Sequence, residues 1–188
     1  MAFSDIRKPE ILDNLLLALA LQVGNEVNNN ELSQTIGVNK ITIQKYIDIL
    51  EKTYIVFRLN SFSRNLRNEI KRNRKVYFYD NGIRNMIIGN FNQIKLRTDL
   101  GALWKNFLIS ERVKQNIYKD TFARIYFWRT KQKQEIDFVE EKNGKIFGFE
   151  FKWKANPKII ISETFVKTYS AETKVIDRNN FREFVIIK

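Results

Sequence analysis

The dipeptide Asn143-Gly144, flanked on both sides by alternating apolar and charged residues, is the feature that most restricts how this chain folds. Asn-Gly favours a two-residue turn with positive φ at both positions, and that turn matches the twist of two antiparallel strands. The turn also sets the register. Asp137 stands opposite Glu150, Glu135 opposite Lys152, Phe138 opposite Phe149 and Ile136 opposite Phe151. Strict alternation predicts an apolar face of Ile136, Phe138, Phe149, Phe151 and Trp153, and a polar face of Glu135, Asp137, Glu150 and Lys152. Like charges directly opposite each other destabilise a strand pair, so Asp137 against Glu150 invites a cation between them. Two carboxylates and water suit Mg²⁺ or Mn²⁺. Lys152 projects to the same face, where it orients or deprotonates a water or stabilises charge on a phosphate.

The N-terminal part is helical. Pro9 suits a first helical turn, where its missing N–H costs nothing. Ile11, Leu12, Leu15, Leu16, Leu19 and Ala20 recur at helical spacing up to a stop at Gly24. Asn30 is placed to cap a short helix over 31–36. Gly37-Val38-Asn39 makes a tight turn, and a longer helix over 40–53 directs Ile43, Ile47 and Leu50 inward. Short helix, Gly-containing turn and second helix form the pattern of a helix-turn-helix. Strand-like runs at 54–59 and 75–79 flank a basic loop, which makes this part a winged helix. Residues 80–90, with Gly82 and Gly89, read as a joint. A helix over 100–118 follows, then strands over 124–130, 135–140 and 145–152. A short helix over 165–169, a strand over 173–176 and a last strand over 184–187 complete the chain. The expected class is α/β (α+β), with a winged helix-turn-helix domain over 1–82 and a second domain, a mixed sheet flanked by helices, over 83–188.

Charge points to a polyanionic partner. The 33 Lys and Arg against 21 Asp and Glu leave a formal net charge of +12. Nucleic acid is the leading expectation and an anionic membrane surface the second. Between Arg58 and Lys75, seven basic residues face Glu69 alone. Arg64, Arg67, Lys71, Arg72 and Arg74 are the candidate phosphate contacts there, since clustered cations gain by releasing counterions. Asn39, Lys40, Thr42, Gln44 and Lys45 occupy the N-terminal end of the second helix of the pair, from which side chains reach base edges in a major groove. Gln reads adenine, and Lys reads guanine or a phosphate.

The absence of Cys and His excludes disulfides, zinc sites built from those residues, and Ser-His or Cys-His catalytic pairs. It fits a reducing compartment. The apolar stretch over 11–23 is too short and interrupted to span a bilayer, and it lacks the plan of a signal peptide. A cytoplasmic location without a membrane partner is therefore expected. No Gly-x-x-x-x-Gly-Lys-Ser/Thr run is present, so no ATP hydrolysis by that route is expected.

Asp137 followed by Glu150-Phe151-Lys152 is similar to the strand motif of the PD-(D/E)xK nuclease-like superfamily. The context extends the resemblance: Tyr126-Phe127-Trp128-Arg129, then Glu135-Ile136-Asp137-Phe138, then Phe149-Glu150-Phe151-Lys152. With the winged helix and Lys75-Val76-Tyr77-Phe78-Tyr79-Asp80-Asn81-Gly82, it resembles the C-terminal half of a group of prokaryotic AAA-type ATPases, from about Ile11 to Ile186. That resemblance implies a restriction-endonuclease-like second domain. Asp137 and Glu150 become metal ligands, Lys152 the catalytic lysine, and Glu111 the acidic residue of the first helix. It also implies a partner ATPase domain, with this chain a C-terminal fragment. One departure stands out, because the group's Glu-Asn-Phe reads Lys105-Asn106-Phe107 here.

Three functions follow as expectations. The first is Mg²⁺- or Mn²⁺-dependent DNA phosphodiester hydrolysis. The second is a non-catalytic DNA-binding or regulatory module of the ATPase. The third is a protein-interaction domain, with Trp104, Trp128 and Trp153 as exposed aromatics.

Overall fold

The computed structural model describes residues 9–64, 74–155 and 161–186. Helix α1 (Pro9–Leu21) places Leu15, Leu19 and Ala20 in the core. A two-residue strand, β1 (Glu26–Val27), leads into α2 (Asn29–Ile36). The cap of α2 is Asn28, two residues before the expected Asn30, and its side chain accepts from the Asn30 N–H at 2.9 Å. Gly37 ends α2 with φ of +76°, in the left-handed region glycine favours. Helix α3 (Lys40–Lys52) buries Ile43, Tyr46, Ile47 and Leu50. The antiparallel strands β2 (Val56–Ser61) and β3 (Arg74–Phe78) follow.

Residues 80–90 are not a plain joint. They hold α4 (Asn81–Ile87), capped by the Asp80 side chain on the Ile83 N–H at 2.9 Å. The two glycines mask this helix in the sequence, whereas the Asp cap creates it. A 3₁₀ turn at Ile94–Leu96 precedes the long α5 (Leu100–Tyr118). Next come β4 (Arg124–Arg129), β5 (Glu135–Lys142), β6 (Lys145–Phe151), α6 (Glu163–Tyr169) and β7 (Glu172–Ile176). The expected last strand is a helix, α7 (Phe181–Val185). Helical spacing turns Phe181, Phe184 and Val185 to one side, and Phe184 packs against Phe138, Phe149 and Phe151.

The class is α/β, as expected, but one mixed sheet runs through the whole chain. Its order is β1-β3-β2-β4-β5-β6-β7. The pairs β2–β4 and β6–β7 are parallel, and the others antiparallel. The β2–β4 pair joins the helix-turn-helix part to the second half, through Asn60 opposite Tyr126 and Ser61 opposite Phe127. One apolar cluster extends from Leu15 and Ile47 through Tyr77 and Leu108 to Phe138 and Phe184. A second cluster, around Trp128, Ile136, Val139 and Phe165, lies on the opposite side of the sheet. Trp104 and Trp128 are therefore buried and not exposed, and Trp153 is half-buried with its ring edge-on to Trp104. Among the described residues, no helix is long and apolar enough to cross a membrane.

The glycines make two opposite predictions. A Cβ on Gly148 would lie 2.7 Å from a Phe165 ring carbon and 3.3 Å from a Thr173 methyl, so the β6–α6 contact requires glycine. Gly148→Ala is expected to cost about 1–3 kcal/mol in urea unfolding. A Cβ on Gly101 in α5 meets nothing within 4 Å, and Gly101→Ala is expected to add up to about 1 kcal/mol.

Candidate functional site

The Asn143-Gly144 turn forms as the sequence requires, with φ of +53° and +74°. From Phe138 opposite Phe149 to Lys142 opposite Lys145 the register of β5 and β6 is the expected one, but the ladder ends at Phe138–Phe149, short of the expected pairs Asp137–Glu150, Ile136–Phe151 and Glu135–Lys152. The alternation of faces is not the expected one. Against β4, Tyr126 pairs with Val139 but Trp128 pairs with Ile136, so Asp137 and Phe138 together oppose Phe127. Such a bulge adds one residue to a strand and re-aims a side chain. Ile136 thus joins the Trp128 cluster, while Phe138 packs on the other side. Asp137 turns toward α5 instead of lining a separate polar face.

There it meets an ammonium. Asp137, 2% exposed, forms an ion pair with Lys105 of α5, and its second oxygen accepts the Phe151 backbone N–H at 3.0 Å. Burial works to lower the Lys105 pKa, but Asp137, with Glu135 and Glu150 behind it, outweighs burial and holds the ammonium charged. Glu150 is the second carboxylate of the cluster. Burial first, and then the charge of Asp137, push it up to about 7 against the pull of Lys152 and Lys105. Lys152 Nζ lies 3.6 Å from Glu150. Asp137, Glu150 and Lys152 are thus brought together. Glu111 pairs instead with Lys114 on its own helix at 2.6 Å.

The surrounding carboxylates are also neutralised from within. Glu135 pairs with the buried Lys75 and lies 3.7 Å from Arg129, which reaches Glu26 at 2.9 Å. Glu140 takes both arms of Arg112, at 2.7 and 2.8 Å, and the Asn116 amide. Burial first, and then Asp137 and Glu135, push the Tyr77 hydroxyl up. Among the described residues, no group of three or more carboxylates is arranged to hold a metal ion. The Lys105 ammonium stands on Asp137, one of the two carboxylates expected to share a divalent cation. The one signal of this in the sequence was Lys105 itself, seven residues before Arg112 and so on the same helical face.

On the helix-turn-helix, Asn39 caps α3. Its side chain accepts from the Thr42 N–H at 2.8 Å and the Thr42 hydroxyl at 3.0 Å, so both residues are engaged locally. Gln44 bridges Asn29 and Asp48, at 2.8 Å each. Lys40 and Lys45 are exposed. Arg58 is held by Glu51 and Asp48, which raise its pKa against the lowering effect of burial. Lys40, Gln44, Arg58 and Arg74 line a polar cleft of about 340 Å³ with Asn28, Asn29 and Asn30. Arg64 is exposed at the end of the described segment. Arg67, Lys71 and Arg72 lie outside the described residues.

Comparison with known proteins brings in two families. Residues 1–94 match a family described as Domain of unknown function (DUF8612), and residues 100–186 match Domain of unknown function (DUF4143). Uncharacterised proteins of Mycobacterium bovis and Mycobacterium tuberculosis are each 29% identical over 143 residues, 75% of this chain and 32% of theirs. One of Haemophilus influenzae is 26% identical over 148 residues, 34% of its length. The chain spans about a third of the length of these relatives. A Vibrio cholerae protein of known crystal structure aligns over 94% of this chain and 50% of its own at 11% identity, with a TM-score of 0.28, too low to bear on the fold.

The charge cluster makes two predictions. Lys105→Met leaves Asp137 buried without its cation. The expected loss is about 3 kcal/mol in urea unfolding, the lower end of the range for a broken buried pair because the lysine side chain is 31% exposed. Glu150 keeps its proton in the folded chain from its ordinary value of 4.5 up to about 7, where the unfolded chain has lost it. The folded state binds more protons in that window, so this group makes stability fall as pH rises through it. Urea midpoints measured across the window should show that slope in the wild type and a flatter one in Glu150→Gln.

Proposed function

The chain belongs to the family described as Domain of unknown function (DUF8612), and on that premise we propose that it is a DNA-binding regulatory module of a larger ATPase-type protein, one that holds DNA without hydrolysing it. The observation that carries this reading is the Lys105 ammonium on Asp137. A hydrolytic site of this plan uses its carboxylates to bind a metal that activates water and stabilises phosphate charge. Here the buried carboxylate already has an internal cation, Glu135 and Glu140 have theirs in Lys75 and Arg112, and Glu150 holds a proton up to about 7.

The cations of the first half support the DNA part. Lys40 is exposed at the start of α3, and Arg74 lines the same cleft at the edge of β3. Among the described residues, no carboxylate lines that cleft. The net charge of +12 adds a long-range attraction to phosphates. The relatives, about three times the length of the matched segment, have room for the ATPase part. A second reading, hydrolysis, is favoured by the adjacency of Asp137, Glu150 and Lys152.

Fluorescence anisotropy with duplex DNA at low salt separates the two. The wild type is expected to bind, and Lys40→Glu with Arg74→Glu to bind at least about tenfold more weakly, with a salt slope about two smaller. No strand scission should follow addition of Mg²⁺ or Mn²⁺. Absence of duplex binding would sink the proposal, and scission abolished by Asp137→Asn would establish the second reading.

A further inference from the structure

The start of α5, the loop before it, Trp153 and α7 enclose a groove of about 440 Å³ that the proposal above does not use. Most of its lining is aromatic or aliphatic, with Phe91, Trp104, Phe107, Trp153 and Phe181 foremost, and Asn81, Asn85, Asn92 and Arg97 are its polar members. The rings of Trp153 and Phe181 stand edge-on to Trp104, and Phe107 stacks on it.

Two observations separate this groove from an ordinary surface depression. First, Trp104 is 8% exposed, and its indole N–H is enclosed with no hydrogen-bond partner. Buried indole donors are normally paired, so a residue of the groove lining keeps an unpaired donor closed off beneath the surface. Second, the apolar surface continues outward. Phe91, Ile94 and Leu96 are 70%, 58% and 66% exposed on the loop that forms one wall. Contiguous apolar surface of this kind marks interaction sites.

The charges identify the occupant. Among the described residues, no carboxylate lines the groove. Arg97, its one charged lining residue, is committed to Asp99 and Asn85. Arg178 holds its guanidinium 5.0 Å from the Trp153 ring, and the exposed Lys95 and Arg182 are chain neighbours of the lining residues Ile94 and Phe181, with the next carboxylate, Glu183, already paired to Lys174. A basic rim around an apolar floor complements apolar residues flanked by acidic ones. We propose that this groove docks an apolar polypeptide segment bearing carboxylates. Its apolar side chains cover Phe91 and Ile94, and its carboxylates meet the rim.

The probe is a synthetic amphipathic peptide of Leu and Glu, titrated into the whole chain while the indole emission is followed. Its counterpart with Lys for Glu is the control. The expected result is a saturable change with the Glu peptide, at least about tenfold weaker with the Lys peptide and with the Phe91→Ser, Ile94→Ser double variant. Both substituted residues are exposed, so the double variant is expected to keep the wild-type urea midpoint. No saturable binding, equal binding of the two peptides, or undiminished binding by the double variant overturns the proposal. So does sedimentation showing that the chain pairs with itself and that the double variant abolishes the pairing, since the occupant is then a second copy.

Discussion

A carboxylate that is 2% exposed must have a positive partner or stay neutral, and Asp137 meets that requirement with Lys105. Much of the second half is arranged around the need. The β5 bulge opposite Phe127 aims Asp137 at α5, and α5 starts early enough to present Lys105 there. The Phe151 N–H, at the end of β6, is spent on Asp137. Glu150, the next carboxylate, then stands beside a charge already in place, and holding its proton up to about 7 is the least costly way to share the site.

Helix α5 is the element through which most buried polar groups are satisfied. Asn106, fully buried, donates to the Phe78 carbonyl and accepts its N–H, at 2.9 and 2.8 Å, and so ties α5 to the end of β3. Arg112 reaches Glu140 and also the Phe184 carbonyl at 3.0 Å, and Gln115 donates to the Val185 carbonyl at 2.8 Å. These bonds dock α7 as a helix. Lys105, Asn106, Arg112 and Gln115 occur on a helix that also buries Leu108, Ile109 and Val113. Its polar residues are thus as structural as its apolar ones, and its modest amphipathicity follows from being packed on several sides.

The parts legible in the sequence are those set by local rules. Asn143-Gly144 dictated the hairpin and its register because two positive φ values favour that pair of residues. The limits of α5 followed from long helical spacing. Short helices were less legible: α4 depends on one Asp cap against two glycines, and α7 on where Phe184 packs. The bulge was invisible because a period of two presumes an unbroken ladder. Lys105 was recognisable as a departure, but its role depends on a partner 32 residues later. The β2–β4 pairing has no local signal, since β3, α4 and α5 lie between the two strands in the chain.

The continuity of the sheet binds the molecule together in a way that its two family matches do not suggest. The match boundary falls between residues 94 and 100, yet β2 from the first segment is bonded directly to β4 from the second. Helix α3 packs on β2, β2 on β4, and β4 on β5, which carries Asp137. The helix-turn-helix and the Lys105–Asp137 pair are therefore joined by an unbroken run of three hydrogen-bonded strands. The two segments share one sheet, and recombining either with a foreign partner would mean cutting that sheet through its middle.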